Sequence, residues 1–239
     1  MSEQYEIVDG VLEVLHRNGI LEHLIIVGSW CTYFYRHHYG SIFRVSPLRT
    51  LDIDINVSRL CRAGESCDIP ALLVPLGFEY ESLFDGSMKL VHPALTIEFL
   101  IPEKGRDAEG PISLKGHGIT AQPLRFMALL EEKLLEVQYR GMAVNVPYPA
   151  HFAFHKLIIS QRRLNKKEKP LKDIRQGVEV LDMLFRMGKG QEAIELASAL
   201  TKKQRGYISL TLKGLTERDR VEFESLAPLF QEFVEKKVK

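Results

Sequence analysis

Leu51-Asp52-Ile53-Asp54-Ile55-Asn56-Val57 alternates apolar and polar at every position. A period of two marks a strand with one buried face, here carrying Leu51, Ile53, Ile55 and Val57 inward and Asp52, Asp54 and Asn56 outward. Residues i and i+2 of a strand point to the same side, so the two carboxylates stand next to each other. Like charges so close repel. A divalent cation relieves the repulsion by taking both as oxygen ligands, and Mg²⁺ is commonly held by one or two carboxylates together with substrate phosphates. A solvated strand face with two acids reads the same way, and the pattern alone leaves both readings open.

Towards the N-terminus, Leu24-Ile25-Ile26-Val27 reads as a short buried strand stopped at Gly28-Ser29, followed by a helix from Trp30 to Tyr39 with Ser29 placed to cap it. A strand that runs into glycine and then a helix brings backbone N–H groups up to phosphate oxygens. A plain helix cap uses the same residues. Further upstream, Tyr5–His16 carries a helical apolar stripe that ends at Asn18-Gly19. Towards the C-terminus, Phe78–Ser82, Lys89–Val91 and Leu95–Ile101 read as strands, the first two joined by a turn at Asp85-Gly86. Glu98 stands inside the otherwise apolar Leu95–Ile101. A buried acid needs a partner. Near the aspartates, Glu98 could bind metal or take the proton of an attacking hydroxyl; on an edge strand it would simply face water. Lys104–Gly118, rich in glycine and charge, reads as a loop, and Leu134–Val146 as a hairpin around Arg140-Gly141.

After Pro147 the pattern changes to helices: one opened by Pro149 and running to about Arg163, one over Pro170–Arg186, one over Gly190–Leu200 and one over Glu217–Lys237. The chain is therefore expected to divide into an α/β domain, 1–147, and a helical domain, 148–239. From His155 to Arg175 there are eight basic residues against Glu168 and Asp173, a local excess of six positive charges. Lys156, Arg163 and Lys172 are the members expected to face a triphosphate or an RNA backbone. Lys166–Lys169 reads as solvated surface.

The whole chain has 239 residues, 32 Lys+Arg against 31 Asp+Glu, a net charge of +1, 45% hydrophobic and 26% charged residues. That balance excludes a disordered chain and a protein that coats nucleic acid by bulk charge. The N-terminal residues lack the basic and apolar regions of a secretory signal, and no apolar run approaches the ~20 residues of a membrane span. Three cysteines, Cys31, Cys61 and Cys67, point to a reducing cytoplasm, and Cys61 with Cys67 supplies too few ligands for zinc. His151 and His155 share a helix face but lack the glutamate of a zinc-protease motif. Tyr33, Phe34 and Tyr35 read as packing residues.

VGSW (Val27–Trp30), RTLDIDI (Arg49–Ile55) and TIEFLIP (Thr96–Pro102), in that order, resemble the three signatures of the DNA polymerase β-type nucleotidyltransferase superfamily. VPYPAHFAFHKLIISQRR (Val146–Arg163) and KPLKDIRQ (Lys169–Gln176) extend the resemblance to bacterial minimal nucleotidyltransferases and AbiEii-type toxins. The resemblance implies an α+β fold, a small mixed sheet flanked by helices and followed by a C-terminal helical domain. It also implies transfer of a nucleoside monophosphate from an NTP, ATP among them, to an acceptor, with release of pyrophosphate. Carried over, Asp52 and Asp54 bind two Mg²⁺ ions, with Mn²⁺ as an alternative. Glu98 completes the second metal site and helps deprotonate the acceptor. Gly28 and Ser29 hold the β- and γ-phosphates, Arg49 and Thr50 orient the aspartates or touch phosphate, and Lys156 reaches the triphosphate. The insertion between Ser29 and Asp52 is longer than in compact members, and relatives often place the arginine one residue before Arg49. The acceptor is left open between a small molecule, a tRNA end and a protein side chain. The competing reading is a nucleotide-binding regulatory or toxin–antitoxin module with an antitoxin or other protein partner.

Overall fold

The computed structural model describes residues 2–43, 50–60, 66–103, 110–162 and 169–235. The chain divides into two compact units, Met1–His38 with Pro47–Pro147 and Tyr39–Ser46 with Tyr148–Lys239. Among the described residues no helix is long and apolar enough to cross a membrane.

The first unit is α+β. In chain order it holds α1 (Ser2–Arg17), β1 (Ile25–Val27), α2 (Cys31–Tyr39), whose last residue belongs to the second unit, β2 (Asp52–Asn56), α3 (Ile69–Leu73), β3 (Glu79–Ser82), β4 (Met88–His92), β5 (Leu95–Pro102), β6 (Ile112–Leu114), β7 (Ile119–Leu124), β8 (Leu134–Tyr139) and β9 (Met142–Pro147). A mixed sheet runs β1-β2-β5-β4-β3. β5 is parallel to β2 and antiparallel to β4, and β7 pairs with the far end of β5 from Leu100 to Pro102. β8 and β9 form a separate hairpin, and Arg140 (φ 50) and Gly141 (φ 80) make its turn with two left-handed residues.

One face of β2 and β5 carries Ile53, Ile55, Ile97 and Phe99, all buried. Truncating such a side chain costs about 2–5 kcal/mol, so this apolar layer dictates which way the opposite face points. A second cluster, Ile25, Val27, Leu100, Met127 and Leu130, closes the sheet beside β1. Phe34 and Tyr35 of α2 are fully buried, and the Tyr35 hydroxyl donates to the Pro147 carbonyl at 2.6 Å. These aromatics are packing groups.

Three expectations need correction. β2 begins at Asp52 and Leu51 is exposed, while Asn56, assigned to the solvent face, is completely buried. Its amide donates to Glu131 Oε1 at 2.6 Å and its oxygen accepts from the Ser58 N–H at 2.9 Å, which offsets the cost of burying it. The run read as a loop up to Gly118 contains β6, which pairs with β7 through a turn at left-handed Gly118 (φ 64). A three-residue strand is too short to show a period; residues 104–109 lie outside the described set.

The second unit contains α4 (Pro149–Ser160), α5 (Lys169–Arg186), α6 (Gly190–Ala199), α7 (Lys202–Lys213), α8 (Glu217–Glu222) and α9 (Ala227–Phe230), followed by a π-helical turn over Gln231–Glu235. Thr201 and Gln204 cap α7 reciprocally, as Thr216 and Asp219 cap α8. The single helix expected over Glu217–Lys237 is broken at Phe223, which leaves helical geometry (φ −113, ψ 44). Pro228, which has no N–H to donate, then sits in the first turn of α9, where that loss is harmless.

Candidate active site

The register of the sheet assembles the acids. Asp54 on β2 lies opposite Val27 on β1 and opposite Glu98 on β5; Glu98 lies opposite Lys89 on β4, and Lys89 opposite Glu81 on β3. Paired residues share a face, so Asp54, Glu98, Lys89 and Glu81 form one row across four strands. Asp52, two residues before Asp54, stands on the same face beside Thr96. Asp52 is exposed, and Asp54 and Glu98 are half-buried. The apolar face beneath holds these side chains outward.

Gly28 closes on this row. It takes φ +67, a region that side chains rarely adopt, and a Cβ there would stand 1.9 Å from Asp54 Oδ2 and 2.9 Å from its Cγ. Both constraints select glycine. The left-handed step starts helical winding at once, as a 3₁₀ turn over Gly28–Trp30 that continues into α2. Ser29 therefore lies inside the turn and does not cap α2 with its side chain; its carbonyl accepts from Thr32 Oγ1 at 2.8 Å. Thr50 is half-buried just before β2, its carbonyl accepting from Gln4 Nε2 at 2.5 Å and its Oγ1 from the Asp52 N–H at 3.4 Å.

The electrostatics centre on Lys89. Its ammonium forms an ion pair with Glu98 Oε1, with side chains 29% and 26% exposed, so the pair is partly withdrawn from water. The hydrogen bond to Glu98 raises the Lys89 pKa most; partial burial opposes it, and the charges of Glu98, Asp52 and Glu81 add to it. Sequence reasoning passed over Lys89. The signal was nonetheless there: the tight turn at Pro93-Ala94 pairs His92 with Leu95, and counting outward from that turn sets Lys89 against Glu98. The Asn56–Glu131 contact had no such local signal.

Among the described residues no three His, Cys, Asp or Glu side chains gather to hold a metal ion. The all-oxygen pair Asp52 and Asp54 still suits Mg²⁺, which takes one or two carboxylates and completes its shell with water and phosphate. Glu98, expected as a third ligand, is instead engaged by Lys89.

The basic residues of the second unit fare differently. Lys156, expected at a triphosphate, is buried and donates to buried Asp173 at 2.8 Å, fastening α4 to α5. Both groups of the pair are buried, so Lys156 is committed to the interior of the helical unit and acts there as a structural cation. Arg175 is likewise committed, to Glu222 and Glu179 at 2.6 Å each, and its pKa is raised chiefly by the hydrogen bond to Glu222. Lys172 is half-buried on α5. His151 and His155 are buried in α4. Arg49 and Arg163 lie outside the described residues.

None of the curated proteins compared matches the chain. Among solved structures, a crystal structure of ANT(2'')-Ia in complex with adenylyl-2''-tobramycin is 13% identical, with a TM-score of 0.47 over 87% of this chain and 98% of that one. The solution structure of the antibiotic-resistance factor ANT(2'')-Ia is 14% identical (TM-score 0.43, covering 83% and 98%). An antigenic nucleotidyltransferase-like protein from Paracoccidioides brasiliensis is 16% identical (0.39, covering 81% and 91%). The family described as Nucleotidyltransferase matches residues 6–200, a span that contains Gly28, both aspartates and Glu98, and the chain belongs to that family.

Proposed function

We propose that the protein transfers a nucleoside monophosphate from an NTP to a hydroxyl acceptor, with divalent cations bound at Asp52 and Asp54. The observation that carries this reading is the row of Asp54 and Glu98 on parallel neighbouring strands, with Gly28 pressed against Asp54. In the reaction the acceptor oxygen forms a bond to the α-phosphorus while the bond from that phosphorus to the β-bridging oxygen breaks, and pyrophosphate leaves. Glu98 takes the hydroxyl proton. Gly28 and Ser29 offer backbone N–H groups of a first helical turn to the β- and γ-phosphates. Thr50 orients Asp52. Bound Mg²⁺ would supply Lewis-acid stabilisation of the attacking and leaving oxygens. Arg49 is carried as a phosphate contact on the sequence resemblance alone, and Arg163 and Lys172 on the local excess of positive charge. We place the chemistry in the cytoplasm, on the strength of Cys31 and Cys67, both thiols rather than halves of a disulfide.

The test is to incubate the purified protein with α-labelled NTPs, Mg²⁺ and total cellular RNA, protein and metabolites. Label transfer that falls on the order of 10³-fold in Asp52→Asn supports the reading, by the scale of lost electrostatic stabilisation. Saturable NTP binding with no transfer would identify a nucleotide-binding module instead.

A further inference from the structure

We propose that Lys89 is the resident counter-cation of the carboxylate row: it holds Glu98 until a divalent cation binds, and then exchanges Glu98 for the phosphates of the nucleotide. This rests on the reading of Asp52 and Asp54 as the metal-binding pair. Three observations support it. Lys89 faces Glu98 in register on the side of the sheet that carries Asp52 and Asp54. It is the cation of a partly buried pair, so its attraction to Glu98 is less screened than at an open surface. Its ammonium donates to Glu98 Oε1, so the acid expected as a third metal ligand is already bonded to a cation.

The physical argument is mutual exclusion. An ammonium and a dication both lower the repulsion among Asp52, Asp54 and Glu98, and each weakens the need for the other. Linkage makes that antagonism reciprocal. Lysine suits an exchange because its charge is a compact point on a flexible stem, able to leave one oxygen for another without a fixed fork geometry. Once displaced, the ammonium faces a triphosphate that the same cations have drawn in. Lys89 is thus a positioning residue for Glu98 in the resting protein and a phosphate contact in the loaded one.

The test compares Mn²⁺ affinity without nucleotide, read by electron paramagnetic resonance, for the wild type, Lys89→Met and Lys89→Arg, with circular dichroism and thermal melts as folding controls. Lys89→Met should bind Mn²⁺ roughly tenfold more tightly, within the usual span of coupling between two sites, and Lys89→Arg, which keeps the charge and grips Glu98 with a fork, should show no gain. A merely structural lysine would change the melting temperature and leave Mn²⁺ affinity where it was. Unchanged or weaker affinity in folded Lys89→Met, or no binding in either protein, overturns the proposal. Should Lys89→Met fail to fold, labelled-lysine NMR of the wild type decides. The Lys89 signal should move on adding Mg²⁺ with a non-hydrolysable NTP and stay in place in Asp52→Asn; a signal that never moves overturns the proposal. The label-transfer assay run alongside separates the two readings, because tighter Mn²⁺ binding without any transfer sinks the enzyme assignment and leaves the exchange standing.

Discussion

Gly28 and Asp54 are in such close approach that a single added carbon on the glycine would overlap the aspartate's Oδ2, at 1.9 Å. The glycine is a wall of the site as well as a bend in the chain. Gly28→Ala should therefore act twice. The left-handed φ adds strain of about 1–3 kcal/mol, readable as a lower melting temperature. Asp54 must also rotate away, and displacement of about 1 Å is enough to cost on the order of 10²-fold in transfer. A variant with full transfer and an unchanged melt would contradict this geometry.

Glu98→Gln separates binding from chemistry. The amide keeps the shape and can still accept from Lys89, while Asp52 and Asp54 keep their charges. Transfer should fall by about 10²–10⁴-fold, the usual contribution of a positioned base, with the fold retained and nucleotide-free Mn²⁺ binding at Asp52 and Asp54 weakened far less. Paired rate and binding measurements check it; unchanged transfer removes Glu98 from the chemistry.

Lys156→Met should destabilise the second unit by about 3–5 kcal/mol, because it removes the cation of a buried ion pair. The double variant Lys156→Met with Asp173→Leu should be less destabilised than Lys156→Met alone, since two apolar groups replace the pair. Urea denaturation of the two variants decides; equal destabilisation in both would show that the pair contributes packing rather than charge.

The capping box of α8 has a pH signature. Two hydrogen bonds from Thr216, through its hydroxyl and its backbone N–H, hold Asp219 below the usual carboxylate range. A carboxyl with a depressed folded pKa contributes stability above its unfolded value of about 4, and that contribution is lost as pH falls through the lower folded value. The gap in melting temperature between wild type and Asp219→Asn should thus be widest near neutrality and close below pH ~4. A gap independent of pH would remove Asp219's charge from the cap.

Legibility in the sequence followed the range of the interactions. The alternation of Leu51–Val57 and the apolar run around Glu98 announced β2 and β5, and their acids could be named from them, because a strand's period is local. Pairing is not local. Nothing near Asn56 shows that Glu131 will meet it, so its polarity read as exposure. Lys156 offered a charge on a helix, and only the packing of α5 shows that its partner is Asp173. β6 was hidden by its shortness, and the breaks after α8 by an apolar pattern that runs on through Phe223. Gly28 was legible as a turn, while its pressure on Asp54 needed the register of β1 against β2.

β2 and β5 are parallel neighbours, and the chain between them must travel out through α3 and the β3–β4 hairpin before β5 can lie down beside β2. Closing that long excursion costs entropy before its contacts form, which makes such pairings slow. Asp54 and Glu98 are therefore joined by a long-range pairing, and their closeness depends on the whole excursion being in place rather than on either strand alone.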